Sequence, residues 1–294
     1  MSNNYLIAIN KPISWTSSDV VIKSRNILSA ALNEKIKIGH MGTLDPIASG
    51  VLLLGINKAT RLFDYLLSKD KEYIGDVTFG TSTDTLDSTG NITSTSSLPN
   101  IDELKKIIPS FLGEIEQIPP KYSALKINGK KAYDLAREGK DFEIASRKVN
   151  IYDIQLLDYK STIDGVSEAK IKVNCSSGTY IRTLFSDIAK KLNVDGHMSA
   201  LTRTKLANVS LDTTITMEEL IKAPLDHFIN PLDVIKNLMD VYEMTDSEYV
   251  DIKNGKTIKI DKEVNILALK YKGELKFIAK YKFGLYKAVT NLEW

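Results

Sequence analysis

Gly39-His40-Met41-Gly42-Thr43-Leu44-Asp45-Pro46-Ile47-Ala48-Ser49-Gly50 runs straight into the apolar stretch Val51-Leu52-Leu53-Leu54. One acid, Asp45, stands between glycines and a proline, just ahead of a segment apolar enough to be buried. Glycine permits backbone angles and close approaches that a side chain forbids, and Pro46 turns the residue before it away from helical angles. A carboxylate so placed can be presented to a ligand from a rigid turn. The plainer alternative is that Asp45 caps a helix whose first residue is Pro46.

Outward from this stretch, the 294 residues suffice for one large domain, or a large and a small one, with an ample core. With 43% hydrophobic and 26% charged residues, the composition is that of an ordinary globule. A net charge of +2 does not by itself mark a nucleic-acid binder, so any basic surface must be local. The single cysteine, Cys175, excludes an internal disulfide and a cysteine-based zinc site, and His40, His197 and His227 are too widely spaced to suggest a metal cluster. The start, Met1-Ser2-Asn3-Asn4-Tyr5, has neither a basic region nor a long apolar core, so no signal peptide is expected. No run approaches the roughly 18 apolar residues of a membrane span, and a cytoplasmic protein is expected.

Along the chain, Tyr5 to Ile9 suits a buried strand, and Thr16-Ser17-Ser18-Asp19 has the spacing of a capping box ahead of a helix. Tyr73, Gly75, Val77 and Phe79 alternate with Ile74, Asp76 and Thr78, the period of a strand. Gly80-Thr81-Ser82-Thr83-Asp84-Thr85-Leu86-Asp87 follows; its acid spacing excludes an EF-hand calcium loop. A helical pattern covers Asp102 to Phe111. The most basic segment lies between Lys121 and Lys148, and it reads either as a solvated face or as a set of phosphate contacts. Ala169, Ile171, Val173 and Cys175 form the apolar face of another strand, where a thiol is inert packing. Past Asp233, short strand-like runs at 264–269, 275–281 and 285–290 are broken by Gly273 and Gly284.

The stretch 39–50 resembles the signature of the TruB family of tRNA pseudouridine-55 synthases, Gly-His-x-Gly-x-Leu-Asp-Pro-x-Ala-x-Gly, at every fixed position. Further resemblances are the 81–87 loop, Ile118–Lys126, Ser177-Gly178-Thr179-Tyr180-Ile181-Arg182-Thr183 and His197–Thr204. Two departures stand out: Asn10 and Ser14 replace the family's Asp and Gly around Lys11-Pro12, and Thr202 replaces an Arg. The resemblance implies an α+β fold. Its catalytic domain, residues 1–235, would carry a mixed, mainly antiparallel sheet flanked by helices, followed by a small β-barrel-like, PUA-like RNA-binding module over 236–294.

It also implies a reaction: the bond from C1′ to N1 of uracil breaks, the base rotates and rejoins through C5. No redox or phosphoryl step occurs, so neither cofactor nor metal is expected. Asp45 becomes the expected catalytic nucleophile or charge stabiliser, attacking either C1′ or C6. Arg182 offsets the cost of keeping that carboxylate ionised away from water. By the same resemblance Tyr73 would stack on the flipped base, Tyr180 line the pocket, His40 fill the gap the base leaves, and Leu201 wall the uracil. Read alone, each is commoner in a structural role: a surface Arg at a helix start, tyrosines and leucine in a core. The expected partner is the T-stem-loop of tRNA, bound by a monomer, with no membrane involved. The rival readings are a guide-RNA-dependent pseudouridine synthase and a tRNA folding helper without essential chemistry.

Overall fold

The computed structural model describes residues 4–293 except 124 and 128. The start Met1–Asn3, where the lack of a leader is read, and Ala124 of the 118–126 motif therefore lie outside the described residues. The chain forms two compact units, one from the segments up to Leu67 and from Lys205 onward, the other from Ser68–Thr204.

In the first unit the strand Leu6–Lys11 pairs antiparallel with Ala48–Ile56, in register from Leu6 opposite Gly55 to Lys11 opposite Gly50. Ile38–His40 also pairs antiparallel with Ala48–Ile56. Leu6, Ile7, Ile9 and Val51 to Leu54 are all fully buried, which is why both strands read as unbroken apolar runs instead of alternating. The helix Ser17–Leu32 opens on the expected capping box between Thr16 and Asp19, and buries Val20, Ser24 and Leu28 at helical spacing.

The last part of the chain contributes a four-stranded sheet in the order Val241–Glu243, Ile266–Tyr271, Glu274–Lys282, Leu285–Asn291. Lys272-Gly273 and Phe283-Gly284 are two-residue hairpin loops with both φ values positive, the backbone that matches the twist of the strands they join. The expected barrel is not closed: among the described residues the two outer strands do not pair. The reason is that both faces are already covered. Ala268, Leu275 and Ile278 join a core with Leu6, Val51 and Leu53, and Leu267, Leu269, Phe277 and Tyr286 pack with Met244, Ile252, Ile258 and Ile260.

In the second unit the strand order is Gly196–Leu206 (as far as Thr204), Lys71–Phe79, Gly165–Cys175, Arg147–Thr162, Gly113–Gln117. The last three ladders are antiparallel. Lys71, Tyr73, Gly75, Val77 and Phe79 face inward, as their alternation predicts. The helix Ile181–Lys191 packs across them. It comes so close at Gly75 that a Cβ there would sit 2.8 Å from the Phe185 ring, so only glycine fits. Cys175 is buried and its thiol is pushed up to about 11, chiefly by burial, which keeps it unreactive. Helices and mainly antiparallel sheets in segregated stretches define an α+β fold. No helix among the described residues is long and apolar enough to cross a membrane.

Candidate active site

Asp45 begins a turn, not a helix. Its carbonyl accepts from the Ala48 N–H at 3.0 Å, Pro46 takes the second position, and the strand Ala48–Ile56 starts immediately. The capping alternative thus fails for want of a helix to cap. Three anchors from the Lys11–Ser17 segment hold this turn. The buried Ser17 hydroxyl donates to the Leu44 carbonyl at 3.1 Å and accepts from the Leu44 N–H at 2.9 Å. The Ser14 N–H donates to the Pro46 carbonyl at 2.8 Å. Lys11, fully buried, spreads its ammonium over the carbonyls of Trp15 at 2.6 Å, Pro12 at 2.9 Å and Pro46 at 3.5 Å.

Such charge-assisted bonds are worth about 1.5–3 kcal/mol each, so the ammonium fastens two loops together. Ser14 carries φ +69, so the serine keeps the left-handed turn that a glycine would make without strain. Within the signature, Gly42 (φ +109) and Gly50 (φ +100) use angles closed to side chains; Gly39 does not. His40, half-buried, ends the strand Ile38–His40 opposite Leu54.

The second unit holds Tyr73, Tyr180, Arg182 and Leu201. Arg182 is the second residue of the helix Ile181–Lys191 and is 5% exposed, unlike a surface arginine. It donates to the carbonyls of Thr85 at 3.1 Å and Tyr122 at 3.0 Å, and pairs with Asp87 Oδ2 at 3.4 Å. The other oxygen of Asp87 accepts from the Thr85 hydroxyl at 2.8 Å, the Thr89 N–H at 3.0 Å and the Thr89 hydroxyl. A buried ion pair persists only when its spare hydrogen-bonding capacity is met in this way. Sequence reasoning missed Asp87. The signal is present in Thr83-Asp84-Thr85-Leu86-Asp87, a stretch that resembles the family's loop but to which the sequence reading gives no site residue.

Tyr180 caps the same helix start by its backbone. Its N–H donates to Gln117 Oε1 at 3.0 Å, and its carbonyl accepts from Gln117 Nε2 at 3.3 Å. The Arg147 guanidinium lies 4.6 Å from the centre of its ring and donates to the Gly178 carbonyl. Neither Gln117 nor Arg147 was assigned a role from sequence. Tyr73 and Leu201 are buried on the strands Lys71–Phe79 and Gly196–Leu206. On Tyr73's face, burial and then the charge of Arg203 lower the Lys71 ammonium to about 8, and it donates to the Lys69 carbonyl at 2.6 Å. In the basic segment, Lys126, Lys130, Lys131 and Arg137 line a shallow groove together with Asp134 and Glu138, and the Tyr133 ring is within cation–π reach of Lys131 and Arg137. Among the described residues, no group of three or more His, Cys, Asp or Glu is placed to hold a metal.

Two family models match this chain consecutively: "TruB family pseudouridylate synthase (N terminal domain)" over residues 25–181, and "tRNA pseudouridylate synthase B C-terminal domain" over 182–235. The tRNA pseudouridine synthase B of Streptococcus sanguinis is 39% identical over 291 residues, covering 97% of this chain and 98% of that protein. That of Caldanaerobacter subterraneus is 42% identical over 236 residues, covering 78% and 80%. That of Clostridioides difficile is 41% identical over 265 residues, covering 87% and 81%. Among solved structures, a chain of an H/ACA RNP bound to a substrate RNA containing 2′-deoxyuridine superposes with a TM-score of 0.72 at 22% identity, over 99% of this chain and 85% of that one. At that identity the likeness concerns the fold alone. The chain belongs to the TruB family and is a tRNA pseudouridine synthase, an isomerase.

Proposed function

We propose that this protein converts uridine 55 in the T-loop of tRNA to pseudouridine, with Asp45 initiating cleavage of the glycosidic bond. The observation that carries the reading is the turn at Asp45, where the acid is half-buried and its neighbours Leu44 and Pro46 are pinned by Ser17, Ser14 and Lys11. A main chain fixed on both sides of the acid narrows the directions its carboxylate can take, so part of the orientation is in place before substrate arrives.

The other roles follow from chemistry. Arg182 supplies positive charge that keeps the carboxylate ionised. Tyr73 and Tyr180 offer ring faces to an extruded base, and aromatic stacking of about 1–3 kcal/mol per base offsets much of the unstacking cost. His40 occupies the space the base vacates, and Leu201 gives the uracil an apolar wall. The isomerisation is redox-neutral and transfers no phosphoryl group, so Asp45 and these side chains suffice without a cofactor. The protein acts as a cytoplasmic monomer; residues 1–235 carry the chemistry, and 236–294 form a PUA-like RNA-binding module.

The test is purified protein incubated with unmodified tRNA, with pseudouridine mapped at single-nucleotide resolution. Wild-type protein should modify position 55 with no guide RNA or protein partner, and Asp45→Asn should leave it unmodified. Pseudouridine formed by Asp45→Asn at the wild-type rate, or modification elsewhere, would overturn the reading.

A further inference from the structure

Leu86 lies between the two residues of its loop that hold Arg182, and its backbone is left-handed at φ +61. That region is uncommon for any residue except glycine and asparagine, and a bulky leucine there signals local strain imposed by its surroundings. Those surroundings are visible. The Leu86 N–H donates to the Thr83 carbonyl at 3.2 Å, and its own carbonyl accepts from the Met198 N–H at 3.1 Å. The next turn is fixed too, with the Ser88 N–H on the Met198 carbonyl at 2.9 Å.

The bend has a directional effect. Thr85 offers its main-chain carbonyl to Arg182, and Asp87 offers its side-chain carboxylate to the same guanidinium. In an extended segment these two acceptors would be spread along the strand. The reversal at Leu86 curls the chain so that both converge, while the Thr83 hydroxyl closes the curl by donating to the Asp87 carbonyl at 2.7 Å.

We propose that Leu86 is a positioning residue for the isomerisation. Its left-handed backbone, more than its side chain, brings Thr85 and Asp87 together on Arg182 and so fixes where that cation points. The proposal rests on the role given to Arg182 above. Nothing in the side-chain chemistry of leucine singled it out from sequence; the backbone angle does.

Two substitutions separate backbone from side chain. Leu86→Ile keeps the same atoms but adds β-branching, which disfavours the left-handed region; Leu86→Asn discards the apolar side chain and tolerates that region. The readouts are the single-turnover rate of pseudouridine formation at saturating tRNA, tRNA affinity and melting temperature. Leu86→Ile should slow the rate about tenfold or more with affinity nearly unchanged, and Leu86→Asn should recover most of that loss. In an Asp87→Asn background the isoleucine should add little further loss, because the bend then has no carboxylate to aim. Should the isoleucine variant not fold, Leu86→Ala takes its place, with the same ordering below asparagine. A wild-type rate for isoleucine, equal slowing by asparagine and isoleucine, or full additivity with Asp87→Asn overturns the role. Wild-type protein run in parallel keeps the two readings apart. If it makes no pseudouridine, the activity reading falls; if it is active, the ordering of variants bears on Leu86 alone.

Discussion

The turn at Asp45 and the loop at Asp87 are both rigid, but they are rigid for different reasons. Around Asp45 the fastening is done by carbonyls, a serine hydroxyl and one lysine ammonium, all acting on the main chain of the neighbours. The loop at 83–89 is instead built around a buried ion pair, Asp87 with Arg182, whose remaining hydrogen-bonding capacity is met by Thr85, Thr89 and Tyr122. The first arrangement fixes the main chain on both sides of Asp45. The second commits its carboxylate to structure. Two aspartates, each following a leucine, thus sit in segments fixed by different groups: main-chain bonds in one, a side-chain ion pair in the other.

If that contrast holds, the largest effect belongs to the charge-built loop. Asp87→Ala strips Arg182 of its buried partner and should cost about 3–5 kcal/mol, read as a lower denaturant midpoint, because an uncompensated buried charge remains. Loss of less than about 1 kcal/mol would show that the pair is not structural.

Next comes Lys71, another buried cation of that unit. Its folded pKa, about 8, lies below the ordinary 10.5, so the unfolded chain binds more protons between those values. Stability relative to a Lys71→Met variant should therefore rise across pH 8 to 10.5, by up to about 3 kcal/mol, and be lowest below pH 8. A flat difference across that window would contradict the assignment.

In the backbone-fastened turn the effects are smaller. Ser17→Ala leaves both the Leu44 N–H and its carbonyl without their partner and should cost about 1–3 kcal/mol. It should also slow pseudouridine formation without changing tRNA affinity, since what it loosens is Asp45. Smallest, and of opposite sign, is Ser14→Gly: it relieves the left-handed strain at φ +69 and should stabilise by about 0.5–1 kcal/mol in thermal unfolding. A destabilised glycine variant would mean that the serine earns its place through contacts of its side chain.

The same contrast explains what could be read without a structure. The Asp45 turn is contiguous: its glycines, proline and following apolar run lie within sixteen residues, and their local rules agree. The helix at Ser17 and the alternating strands at Tyr73 and Ala169 were legible for the same reason. The partners of Arg182 were not, because Thr85, Asp87 and Tyr122 reach it across 60 to 97 residues, and no periodicity links them. Arg147 over Tyr180 and Gln117 on its backbone are hidden likewise. The small C-terminal strands showed their alternation and their glycine turns. Whether their outer edges would pair was invisible, since that depends on what covers each face.

Leu275, Ile278 and Leu292 pack into the same core as Leu6 and Leu53, and the buried Asn4 amide donates to the Leu292 carbonyl at 2.6 Å while accepting from the Lys58 N–H at 3.0 Å. The start of the opening strand therefore depends on a residue 288 positions further along the chain, a long-range contact of the kind that forms slowly. Leu292→Ala should therefore loosen Leu6–Lys11 and its partner Ala48–Ile56, which starts just past Asp45, and be read as a lower melting temperature.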